Sequence, residues 1–78
     1  MRNEVVMLGI LKRKLEEEYN ELYDAMYHYI WAWFIKDSLN TNKSSMDIIL
    51  YRDEIENLIG IREHDDIVSY VLNNILEG

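Results

Sequence analysis

Leu15-Glu16-Glu17-Glu18-Tyr19-Asn20-Glu21-Leu22-Tyr23-Asp24-Ala25-Met26 is the stretch that decides the fold. With Leu8 and Leu11 before it and Tyr29, Ile30 and Trp33 after it, apolar residues recur at steps of three and four. That rhythm is one face of a helix. No proline interrupts it, and Asn3 is a reasonable N-cap. The stretch therefore predicts one long helix over 1–39. Continuity through Asn20 implies that proline there costs about 3 kcal/mol or more. The competing reading bends the helix near Asn20 and folds it back onto its own domain. A strand over Tyr27–Ile35, which is aromatic and β-prone, is a second rival, but no turn signal precedes it.

Residues 40–45 are polar and rich in turn formers, as a linker is. Ser44 with Asp47 three residues later resembles a capping box. It opens an expected helix over 46–59 with Ile48, Tyr51, Ile55, Leu58 and Ile59 on its apolar face. Gly60 then sits where a left-handed residue ends a helix, followed by apolar Ile61. A last helix is expected over 65–77, with Ile67, Val68, Val71, Leu72, Ile75 and Leu76 inward. Asp65 and Asp66 fall in its first turn, where the helix dipole favours them.

Length constrains the packing. A helix of about 35 residues is about 52 Å long, whereas a compact chain of this size is roughly 30 Å across. Two short C-terminal helices joined by a tight turn should run antiparallel and sheathe one end of the long one. The segment Ala25–Ile35 is apolar nearly all round and claims that cover. Leu8, Leu11, Leu15 and Leu22 would then form a stripe without intrachain cover. The sequence thus predicts an all-α fold: one long N-terminal helix packed by an antiparallel C-terminal pair, three helices in one small domain. It also predicts a homo-oligomer, joined through those four leucines.

Composition narrows the function classes. The chain has 78 residues and no cysteine. Disulfides and thiolate metal sites are excluded, and a reducing, cytoplasmic setting is expected. The net charge is −7, with −2 in residues 1–39 and −5 in 40–78. Such a chain repels phosphate backbones, so no direct nucleic-acid contact is expected. The apolar run Ala25–Ile35 is far shorter than the ~20 residues of a membrane span, so no membrane partner is expected. No Gly-rich phosphate loop and no nucleophile elbow is present. The expectation is therefore a non-enzyme with no catalytic residues. Asp24 and His28, with Glu21 a turn earlier, read as a solvated polar strip rather than a metal face. Glu63-His64-Asp65-Asp66 reads as a charged helix start. Neither metal nor cofactor is expected.

Protein binding is what remains. Tyr19, Tyr23, Tyr27 and Trp31 are candidate aromatic anchors, of the residue types enriched at interface hot spots. Asp47, Asp53, Glu54, Glu56, Glu63, Asp65 and Asp66 are candidate acidic contacts for an unidentified partner with a basic surface. Small acidic helical inhibitors of viral or mobile-element origin act as a class by filling a basic nucleic-acid-binding site. A non-catalytic binding module of that kind is the expected function. The alternative is a small transcription regulator with a divergent helix-turn-helix in residues 46–77. Its would-be recognition helix begins with Glu63, Asp65 and Asp66, where phosphate and base contacts should lie. Residues 53–72 also loosely resemble a helix pair of PWI-type domains, without the Pro-Trp-Ile signature.

Overall fold

The computed structural model describes residues 3–75. Asn20 lies outside any helix. Its backbone is extended, at φ −141° and ψ 121°. Its side-chain oxygen accepts from the backbone N–H groups of Leu22 at 2.9 Å and Tyr23 at 3.1 Å. That is an N-cap, the side chain replacing carbonyls that a helix start lacks. The expected helix over 1–39 is therefore two: α1, Asn3–Glu17, and α2, Glu21–Leu39. Periodicity missed the break because Leu15, Tyr19 and Leu22 keep the four-three rhythm across it. Burial is what favours the fold-back. Met7 and Leu11 become fully buried, each worth roughly 1.5–3 kcal/mol. A straight helix would leave them in water. The backbone hydrogen bonds lost at the break are worth about 0.5–1.5 kcal/mol each, and the Asn20 cap restores part of that.

The second connection is shorter than the expected linker over 40–45. Asn40 takes the left-handed conformation (φ 50°) that stops α2, and its N–H bonds the Lys36 carbonyl. Thr41 then caps α3, Asn42–Ile59, its hydroxyl accepting from the Ser44 N–H at 3.1 Å. The capping box expected at Ser44 and Asp47 is corrected accordingly. Ser44 is buried three residues inside the cap, donating to the Thr41 carbonyl at 2.7 Å. Asp47 instead pairs with Lys43. The stronger cap sits earlier because Thr41 follows a left-handed residue directly, which leaves two residues between α2 and α3. Gly60 ends α3 in the left-handed region (φ 75°), its N–H bonding the Glu56 carbonyl, as its place in the sequence implied. Helix α4, His64–Tyr70, follows and continues as a π-helical turn over Val71–Ile75. The Asn3 side chain and the last residues of the expected 65–77 helix lie outside the described residues.

The two C-terminal helices do not form the expected pair. Helix α3 packs along α2, with His28 stacked on Tyr51 at 5.0 Å and Ala32 and Ile35 beside Ser44 and Asp47. Residue numbers falling on one helix as they rise on the other make that packing antiparallel. Helix α1 runs back along α2 in the same sense, Met7 lying near Ile30 and Trp33. Helix α4 crosses to α1 and α2, where His64 shares a 2.8 Å hydrogen bond with the Tyr29 hydroxyl and lies 4.8 Å from the Trp33 ring. The reason is the buried stripe of α2: with α1 folded back, it has two flanks to cover, and α3 fills one while α4 closes over the other.

The core is Met7 and Leu11 of α1, Ala25, Met26, Tyr29, Ile30 and Ala32 of α2, Ile48 and Ile55 of α3, and Ile67, Val71 and Ile75 beyond. The described chain is all-helical and spans 33 × 30 × 21 Å. No described helix is long and apolar enough to cross a membrane.

A candidate binding corner at the turn between the first two helices

The turn at Glu18-Tyr19-Asn20 brings three chain segments to one corner. Tyr19 follows the last bend of α1 and precedes the Asn20 cap, so no helix face can bury it. It is 70% exposed. Beside it lies a hollow of about 390 Å³ lined by Lys14, Glu17, Glu18, Tyr19, Asn20 and Tyr23. Glu21 and Asp24 rise from the first turn of α2, and Glu54 reaches the corner from α3. Partial desolvation by neighbours, then the negative charges of Asp24, Glu21 and Glu54, hold the Tyr19 hydroxyl above its ordinary pKa of 10.0.

The carboxylates differ in why they are there. Glu21 and Asp24 sit at a helix N-terminus, where the dipole stabilises negative charge. Glu17 and Glu18 sit at the C-terminal end of α1, where it does not. Charge there is disfavoured by about 0.3–1 kcal/mol per residue, and Lys14 is the basic residue of that last turn. Arg13 and Lys14 lie four residues before Glu17 and Glu18, and ion pairs at that spacing, worth a few tenths of a kcal/mol each, offset only part of that cost. A negatively charged hollow walled by two tyrosines suits a cation: carboxylates accept from guanidinium N–H groups in pairs, and phenol faces attract the same cation.

Of the expected aromatic anchors, Tyr19 and Tyr23 meet at this corner. Tyr27 is half-buried, edge-on to His28 at 5.6 Å. Trp31 is exposed further along α2 and contacts Phe34 at 5.3 Å. The expected acidic contacts are carried by α3 and the start of α4. Glu54 joins the corner. Asp53 and Glu56 both accept from Arg62, Glu56 at 3.2 Å. The hydrogen bond to Asp53, more than any other influence, holds that guanidinium protonated. Asp47 is bonded to Lys43 at 3.0 Å, while Glu63, Asp65 and Asp66 line the start of α4. His28 donates to the Asp24 carbonyl at 2.8 Å, and among the described residues no three His, Asp or Glu side chains converge as a metal site would require.

Glu17, Glu18, Glu21 and Asp24 are corner residues that the sequence reading did not select. The signal for them was the run of glutamates before an N-capping asparagine, legible only once the helix is broken there. The leucine stripe expected to face a partner chain is only partly left open by the chain itself. Leu11 is fully buried, and Leu8, Leu15 and Leu22 are half-buried within the chain, because α1 lies back on α2. No family model, no curated protein and no solved structure matches this chain.

Proposed function

We propose that this protein is a non-catalytic binding module whose Tyr19 corner receives arginine or lysine side chains from a basic surface of a partner protein. The observation that carries the reading is Glu17 and Glu18 at the end of α1, against the helix dipole, beside an exposed tyrosine and a hollow. Charge set against a helix dipole and only partly offset by local ion pairs marks a candidate functional position. Exposed carboxylates steer a basic partner by charge, and the tyrosines supply contact area at low conformational cost. A partner surface of that charge is the kind that binds nucleic acid, so occupying it would inhibit that binding.

The test uses the same conflict. Glu17→Gln with Glu18→Gln should leave the melting temperature equal or higher and weaken binding of an arginine-rich peptide about tenfold or more, about 1.4 kcal/mol. Tyr19→Ala should weaken it comparably, and affinity for the parent should fall as salt rises. For the inhibitory form of the proposal, a basic DNA-binding protein holding a labelled duplex should release it as this protein is added. Peptide affinity indifferent to these substitutions would overturn the assignment to the corner.

A further inference from the structure

Helix α3 turns Ile48, Ile55 and Tyr51 inward and leaves its opposite face uncovered. On that face Met46 is 70% exposed, Leu50 59% and Ile49 51%. Exposed aliphatics are ordinary when scattered; here three lie within five residues on one side of one helix. The residues that frame them are opposite in charge. Lys43 lies one turn before Met46, and Asp53 lies one turn after Leu50, both on the same face by the 100° step of the helix. Read along the chain, the stripe is basic, apolar, apolar, acidic. Read backwards, it is its own complement.

We infer that α3 is the seam of a twofold homodimer, two copies pairing antiparallel about Ile48. In that register positions whose numbers add to 96 face each other. Met46 meets the Leu50 position of the second copy, and Lys43 meets its Asp53 position. A twofold interface requires such self-complementarity, because one surface must serve both sides. A general basic partner would gain nothing from Lys43, and an acidic one nothing from Asp53. The second copy satisfies both ends with one geometry. Lys43 and Asp53 already have ion pairs within the chain, to Asp47 and Arg62. Those pairs are solvent-exposed and worth about 0–1 kcal/mol, so sharing them with a second copy costs little. The net charge of −7 on each chain is screened beyond about 8 Å at physiological ionic strength.

The experiment is analytical ultracentrifugation of the full chain at physiological salt across micromolar to millimolar concentrations. The parent should show a reversible monomer–dimer equilibrium. Leu50→Glu should abolish the dimer with unchanged helicity, since Leu50 makes little contact within the monomer. Lys43→Glu and Asp53→Lys should each weaken dimerisation about tenfold or more, about 1.4 kcal/mol, and the two together should restore it. The chain has no cysteine, so single thiols report the register independently. In the paired helices the two copies of position 49 are offset by about 3 Å along the axis, and those of position 57 by about 27 Å. Ile49→Cys should therefore oxidise to a covalent dimer and Asn57→Cys should not. A parent that stays monomeric throughout, or a dimer that survives Leu50→Glu, overturns the inference. Loss of dimer in both single charge variants without rescue in the double one overturns the antiparallel register.

Discussion

Tyr29 shows what one residue holds together. It is fully buried, and its hydroxyl ends on His64, 35 positions away. Burial is the main cause that raises its pKa above 10.0, with Asp65 and Glu63 adding to it and the Trp33 indole N–H and Arg52 opposing. A raised folded-state pKa means stability that is complete below the unfolded value and lost as pH rises through the folded one. The denaturant midpoint should therefore fall above about pH 10, and Tyr29→Phe should make that fall shallower. At neutral pH the same substitution should cost about 1 kcal/mol, the net worth of one hydrogen bond. Tyr29 was legible as a buried position from its place in the apolar stripe. Its partner was not, because His64 follows two turns and a whole helix that the stripe does not constrain.

At the scale of elements, the decisive feature is the break at Asn20. Glu21 is the first residue of α2, where proline removes no helical hydrogen bond. Asn20, before it, already has the extended backbone that a following proline demands. Glu21→Pro should thus leave the thermal midpoint nearly unchanged, whereas a continuous helix would lose about 3 kcal/mol or more. Asn20→Ala should cost about 1 kcal/mol through the lost cap. Chemical denaturation of both variants checks the pair of outcomes, and a strongly destabilised Glu21→Pro protein would contradict the break. Gly60 was legible at this scale because its local chemistry is unambiguous: a left-handed stop needs no Cβ. The break at Asn20 was legible only as the competing reading, because asparagine is tolerated inside a helix and the apolar rhythm runs through it.

At the scale of the whole molecule, the fold-back of α1 draws Leu11 of the expected interface stripe into the core. Leu11 has no exposed surface. Leu11→Ala should cost about 2–5 kcal/mol, while Val5→Ala, at a half-exposed position, should stay within about 0.5 kcal/mol. Leu11→Glu should lose most of its helical circular dichroism, because a carboxylate at a buried site without a partner is strongly disfavoured. A well-folded Leu11→Glu protein would show that α1 does not pack on α2. The α3 face is the reverse case. Met46, Ile49 and Leu50 fall in a helix whose inward positions Ile48, Tyr51, Ile55 and Ile59 were read correctly, whereas Leu58, expected inward, is 39% exposed because α2 covers only the other side.

By itself, the sequence determined the helical state, the left-handed stop at Gly60, the start of α4 and most inward positions of α2 and α3. These follow from interactions within a few residues: propensity, capping and the step of the apolar stripe. Tertiary structure alone decided that α1 and α2 are separate, that α3 pairs with α2 rather than α4, and that Glu17, Glu18, Tyr19 and Tyr23 share a corner. The local energies that favour or break a helix at Asn20 differ by no more than a few hydrogen bonds. Burial of side chains distant in the chain is larger, so it chose between two local conformations that periodicity could not tell apart.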